Sequence, residues 1–142
     1  MDQRLRVDDD VDPLVADAEE VVAGITPVPG VAYTGLFLND KGMERALATG
    51  RLTVKGAITL CASETFLKRN QNLDFDKQLA AQERSVALYK ARGVPVEEVG
   101  ITAAFGCNFE GDVALSRVMS LAAQMLDLAE RNGVAVRQFA LM

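Results

Sequence analysis

Histidine and tryptophan are absent from this 142-residue chain, and cysteine occurs only twice, as Cys61 and Cys107. Without an imidazole, no side chain has an unperturbed pKa near neutrality. Ser-His-Asp and Cys-His mechanisms inside the chain are therefore excluded by composition, as is any zinc or iron site held by imidazole. Two cysteines are too few for a disulfide framework and read as reduced thiols of a cytoplasmic protein. Basic residues are outnumbered by acidic ones, 15 to 20, which gives a net charge of -5. That balance argues against nucleic acid and anionic membrane as partners, since both require a cationic face that displaces counterions. No apolar run approaches the roughly 20 residues that span a bilayer. The start, "MDQRLRVDDDVDP", has no apolar core of an export signal.

What is present is the composition of an ordinary globular domain, 49% hydrophobic and 25% charged. A chain of this length buries roughly 70% of the surface that it exposes unfolded, enough for a real core. Residues 1–11, with Asp2, Asp8, Asp9 and Asp10, read as a flexible acidic arm. The aspartate run lacks the spacing of an EF-hand loop. Residues 12–142 read as one domain. Asp12 and Pro13 suit the start of a helix whose stripe is Leu14, Ala18, Val21, Val22 and Ile25. "VAYTGLFLN" (31–39) reads as a strand. A helix from Asp40 carries Met43, Ala46 and Leu47 and ends at Gly50. "LTVKGAITLCAS" (52–63) has the continuous apolar character of a strand covered on both sides.

The polar "ETFLKRNQNL" reads as a loop. A helix capped by Asp74 follows, with Phe75, Leu79, Val86 and Tyr89 inward and its stop at Gly93. "VPVEEVGITAAF" (94–105) is a third strand region. The longest helix, 112–131, places Leu115, Val118, Met119, Ala122, Met125, Leu126 and Ala129 on one face, with Met119 and Met125 in the core. "VAVRQFALM" (134–142) is a fourth strand. Gly50, Gly93 and Gly133 each end a helix and lead into a strand, 43 and 40 residues apart. This alternation predicts about four parallel strands joined by right-handed crossover helices, an α/β fold.

In parallel α/β folds the loops beyond the strands' C-terminal ends carry chemistry. These are Leu38 and Asn39, Cys61 through Asn72, and Thr102 through Asp112. In "CASETFLKRNQN", Lys68 and Arg69 could meet an anion while Asn70 and Asn72 orient a carbonyl or hydroxyl. The same stretch is equally readable as a solvated connection, with Ser63 or Glu64 capping a short helical turn. In "GCNFEGD", Gly106 and Gly111 suit positive φ and Phe109 suits packing beneath the loop. Cys107 could act as a nucleophile or acid, but no histidine activates it, and a small buried hydrophobe is the plainer role.

Together "YTGLFLNDKGMERALATG", "ASETFLKRNQN" and "AFGCNFEGDV", in this order and at these intervals, resemble the 3-hydroxy-3-methylglutaryl-CoA lyase family of metal-dependent TIM barrels. In that family a Pro/Leu-Asn-x-x-Gly strand exit, an Ala-Ser-Glu-x-Phe-x-x-x-Asn loop and a Gly-Cys-x-(Tyr/Phe)-Glu-Gly turn follow the third, fourth and fifth strands. The resemblance runs from about residue 13 to residue 142 and is taken as one to the family's central segment only. It implies a partial (β/α)8 TIM barrel and carbon-carbon bond cleavage of a hydroxyacyl-CoA to acetyl-CoA and a keto acid. It also implies a divalent metal, Mg or Mn, in the full-length family, acting as Lewis acid and template.

The family's metal ligands and catalytic residues have no counterpart here, so neither a bound metal nor turnover is expected of this chain alone. A full barrel takes about 200 residues or more, so only its middle strand-helix units are expected. Asn39, Ser63, Glu64, Asn70, Thr102 and Cys107 match the motifs and are carried over as substrate-side residues facing an acyl-CoA. Glu98 and Gly100 stand where the lyases have arginine and tyrosine, and Asn108 replaces a common proline. The charge reversal leaves open a paralogue acting on a different hydroxyacyl-CoA. Exposed strand edges of a partial barrel also suggest a homo-oligomer or a complementary half-barrel as partner.

Overall fold

The computed structural model describes residues 17–37 and 39–142. The chain divides into two compact units, residues 1–54 and 55–142. The expected acidic arm, the Asp12 cap with Pro13 and Leu14, and Leu38 lie outside the described residues.

In the first unit, helix α1 spans Ala18–Gly24 and helix α2 spans Asp40–Ala48. Glu19 on α1 takes Nε and Nη2 of Arg45 on α2 at 2.5 and 2.6 Å. Arg51 donates through Nη1 to the carbonyls of Val22 (2.8 Å) and Ala23, so a cation closes the C-terminal end of α1. Met43 is fully buried, as its helical stripe predicts. Gly50, at a φ of 61°, follows α2 where the C-terminal stop was expected.

The strand expected over 31–39 does not form among the described residues 31–37. A strand needs a ladder of backbone partners. Here the chain leaves a turn at Gly30 (φ 80°), and Tyr33 O accepts Thr53 N at 2.7 Å without a strand ladder forming among the described residues. Its β-branched and aromatic residues supply propensity, which does not by itself make a ladder.

The second unit is a three-stranded parallel sheet, in spatial order β1 (Gly56–Cys61), β2 (Val96–Thr102), β3 (Gln138–Leu141). Between strands lie helices α3 (Glu64–Gln71), α4 (Phe75–Ala91) and α5 (Leu115–Arg131). The parallel α/β reading therefore holds, with three strands among the described residues where about four were expected.

Ile58 and Leu60 of β1 and Val99 and Ile101 of β2 form one core with Val86 of α4 and Val118, Leu121, Met125 and Leu128 of α5. By strand alternation, Ala57, Thr59 and Cys61 share the opposite face with Glu98, Gly100 and Thr102, to which they are paired in register. Tyr89 of α4 packs directly over Gly56. A Cβ there would lie 2.6 Å from the Tyr89 ring.

The outer edge of β1 is covered at Thr59 and Cys61 by side chains of α4. Gln82 Oε1 accepts Thr59 N at 3.0 Å. The buried Gln78 accepts Cys61 N at 2.8 Å and returns an N–H to Cys61 O at 3.3 Å. One primary amide thus supplies both the acceptor and the donor that a neighbouring strand would offer.

Helix α5 buries a face that shares Val118, Met125 and Ala129 with the expected one and is shifted towards Leu121 and Leu128. Val118, Leu121, Met125, Leu128 and Ala129 pack on the sheet, while Leu115, Met119 and Leu126 are exposed, Met119 to 61%. Two apolar stripes at helical spacing lie side by side on this helix, and the core takes the one with Leu121 and Leu128. Met119 is therefore not a core residue.

Candidate functional site

Ser63 sits at the exit of β1, where its extended backbone makes it the N-cap of α3 and its Oγ accepts Phe66 N at 3.1 Å. The stretch expected as a loop is thus mostly a helix, because Ser63 satisfies one of its orphan N–H groups and Glu64 adds an acid to its first turn. Asn72 ends that helix in the left-handed region (φ 53°), with its N–H on Lys68 O at 3.1 Å. Asn tolerates that conformation better than most residues, so Asn72 serves as a helix stop.

At the exit of β2, Thr102 O accepts Ala62 N at 2.9 Å, and Ala103 takes a φ of 53°. A left-handed alanine is unusual and turns the chain sharply out of the sheet. Cys107 and Gly111 then exchange backbone hydrogen bonds of 3.0 and 2.8 Å, which closes residues 107–111 into a tight turn. Both flanking glycines have the positive φ expected of them, 129° and 72°.

The turn lies against α3. Cys107 Sγ is 3.1 Å from Ser63 Oγ. Glu110 Oε1 accepts Thr65 N at 2.6 Å, so the carboxylate sits at the helix N-terminus beside the serine cap. Arg69 lies over the Phe109 ring at 4.4 Å from its centroid. Phe109 is therefore partly exposed beneath a guanidinium, and the expectation that it packs under the loop is corrected.

Two groups here have shifted proton affinities. The Ser63 hydroxyl, joined by the N–H groups of Phe109 and Glu110, holds the Cys107 thiol below its ordinary value, against opposing desolvation and the Glu110 charge. Thr65, through its side chain and N–H, holds the Glu110 carboxyl below the usual carboxylate range, with Ser63 and the Glu64 N–H assisting. The cluster is a thiol and a carboxylate that share donors at one helix start.

Of the residues singled out in the sequence, Ser63 and Cys107 are in contact, and Thr102 is paired in register with Cys61 two residues before Ser63. Glu64 is exposed in the first turn of α3. Asn70 is half-buried near the other end of that helix, about 10 Å from Ser63 at the helical rise of 1.5 Å per residue. Asn39 belongs to the first unit, where it caps α2 by accepting Gly42 N at 2.8 Å. Sequence reasoning missed Glu110 as an anchor and Phe109 as a platform. Their signal is the Phe-Glu pair enclosed by glycines, which projects both side chains from a turn too tight to bury them.

A divalent metal, which the resemblance implies for the full-length family, does not fit these residues. The chain has no histidine. Among the described residues no group of three or more cysteine, aspartate or glutamate side chains could hold an ion.

The fold is a fragment of a (β/α) barrel: a parallel sheet with crossover helices on one face and its polar turns at the strand exits. No protein-family model matches the chain. It is similar to the mitochondrial hydroxymethylglutaryl-CoA lyase of Gallus gallus, with 32% identity over 129 residues, covering 86% of this chain and 42% of the relative. It is also similar to the cytoplasmic 3-hydroxy-3-methylglutaryl-CoA lyase of Danio rerio, with 35% identity over 114 residues, covering 80% of this chain and 33% of that protein.

Among solved structures, the hydroxymethylglutaryl-CoA lyase of Pseudomonas aeruginosa superimposes with a TM-score of 0.67 and 30% identity, covering 91% of this chain and 40% of that one. An HMG-CoA lyase of A. baumannii, in complex with coenzyme A and 3-methylmalate, gives a TM-score of 0.68 at 27% identity, covering 91% and 39%. The chain thus spans 33–42% of the length of these relatives. The expectation of a match to a central segment only is corrected: 80–91% of the chain is matched, which is most of it.

Proposed function

We propose that this chain is a cytoplasmic piece of a hydroxyacyl-CoA lyase-like barrel, in which residues 12–142 supply part of the acyl-CoA side of the mouth and are inactive in carbon-carbon cleavage alone. The observation that carries the reading is the match of 80–91% of the chain to hydroxymethylglutaryl-CoA lyases. Asn39, Ser63, Glu64, Asn70, Thr102 and Cys107 are the proposed substrate-side residues. The complex of a related lyase with coenzyme A and 3-methylmalate supports an acyl-CoA as the ligand class. Inactivity is supported by the lack of histidine and by the absence of a metal-holding cluster among the described residues. Glu98, on the sheet face shared with Cys61 and Thr102, supports a hydroxyacyl-CoA less acidic than hydroxymethylglutaryl-CoA, since a carboxylate there repels a second one. No helix among the described residues is long and apolar enough to cross a membrane.

Calorimetry with the purified chain should show binding of coenzyme A thioesters without metal. Assays with magnesium or manganese should show no release of acetyl-CoA. Turnover at an enzymatic rate would overturn the inactivity, and absence of any thioester binding would overturn the acyl-CoA reading.

A second reading, a non-catalytic half-barrel that self-associates, is favoured by the exposed Phe139, Leu141 and Met142 on and just beyond β3. Sedimentation of a stable monomer at high concentration would exclude it.

A further inference from the structure

We propose that Cys61 and Cys107 are a redox-active dithiol that closes into an intramolecular disulfide across Ser63. The two thiols come from different strand exits, 46 residues apart in sequence, yet both bond to the same serine. Cys61 Sγ donates to Ser63 O at 3.2 Å, and Cys107 Sγ lies 3.1 Å from Ser63 Oγ. Both are free. They differ in access: Cys61 is 2% exposed, whereas Cys107 is half-buried on the turn. That difference assigns the roles, because an oxidant reaches Cys107 and the sheltered Cys61 can only respond to what happens there.

The turn that carries Cys107 is closed on itself and held to α3 through Glu110, whose Oε1 accepts Thr65 N at 2.6 Å. Its ends are tied by the Cys107 and Gly111 pair, and it joins the sheet through Ala103 and Gly106. A disulfide brings Cβ atoms to about 3.8 Å, so closure requires the turn to slide inward past the Ser63 hydroxyl. The donors that favour the Cys107 thiolate, the Ser63 hydroxyl and the N–H groups of Phe109 and Glu110, favour the first step.

Hydrogen peroxide is the oxidant class. The Cys107 thiolate attacks one peroxide oxygen, the O–O bond breaks, and with one proton the other oxygen leaves as water, which places a sulfenic acid on Cys107. Cys61, losing its proton, attacks the Cys107 sulfur. The S–S bond forms, the S–O bond breaks, and the hydroxyl leaves as a second water with that proton. Two thiols are oxidised by two electrons in all, and one peroxide is reduced to two waters. The inference does not depend on the acyl-CoA reading.

The test uses the full chain, reduced, exposed briefly to hydrogen peroxide, alkylated under denaturing conditions and digested without reductant for mass mapping. The expected product is a linked peptide pair containing Cys61 and Cys107, lighter by two hydrogens, in a chain that runs as a monomer on a non-reducing gel. In C61S, the Cys107 sulfenic acid should persist and be trapped by dimedone. The proposal is overturned if wild-type Cys61 remains alkylatable after Cys107 is consumed, or if Cys107 gives the same products at the same rate in C61S. The wild-type map decides the matter even if the variant does not fold.

Discussion

At Gly106 the backbone φ is 129°, and a Cβ would lie 2.5 Å from the carbonyl oxygen of Gly111, a rigid atom that cannot step aside. At Gly111 the φ is 72° but the space is open. The two glycines therefore separate clash from conformational strain. G106A should cost about 2 kcal/mol or more and G111A about 1 kcal/mol, read as shifts in the urea midpoint of circular dichroism. Ser63 makes a similar test of chemistry. S63A should lose a helix cap worth about 1 kcal/mol and raise the pH at which Cys107 becomes reactive, because the hydroxyl that favours the thiolate is gone. The rate of iodoacetamide labelling of Cys107 against pH reads that shift. Both glycines of this turn were legible in the sequence, and so was the capping role of Ser63 as one of two readings. The Ser63 contact with Cys107 was not, since it joins residues 44 apart through a left-handed Ala103 that no local pattern announces.

The helices show how far periodicity carries and where it stops. Asp74 was legible as the cap of α4, and its Oδ1 does accept Lys77 N at 3.1 Å. The existence of α5 was equally legible, and its buried face in part: Val118, Met125 and Ala129 were placed inward, but Leu121 and Leu128 were not, because the helix offers two adjacent apolar stripes. The choice is measurable. M119K should change stability by less than about 0.5 kcal/mol, whereas M125A should cost about 2–5 kcal/mol. The role of Gln78 was invisible to pattern reasoning, since a polar residue on α4 reads as solvent-facing until a strand edge is placed beneath it. Q78A should leave the Cys61 N–H unsatisfied in a buried position, at a cost of about 1–3 kcal/mol, measured in the same urea titration.

Across the chain, acid should unfold what surface carboxylates hold. Arg45 holds Glu19 below the ordinary carboxylate range, Lys77 does the same for Asp74, and Thr65 for Glu110. Each carboxyl binds its proton less readily in the fold than in the unfolded chain, so its contribution is complete above the unfolded pKa, near 4. That contribution is lost as pH falls through the folded value. The thermal midpoint should accordingly be flat from about pH 6 to 8 and decline below about pH 5, more shallowly in high salt because these groups are at the surface. The strand-helix alternation was readable over residues 55–142 but not in the first unit, where 31–37 shows that a strand is a relation between segments. Its residues favour extension, and the pairing that would make it a strand is not written in them.

The amide of Gln78 on the flank of β1 also bears on how copies of the chain can meet. Polymers built by strand addition need two adhesive flanks, one to receive and one to be received. With Gln78 and Gln82 bonded along the β1 flank at Thr59 and Cys61, strand addition is expected beside β3, which favours a finite pair of chains over a fibre.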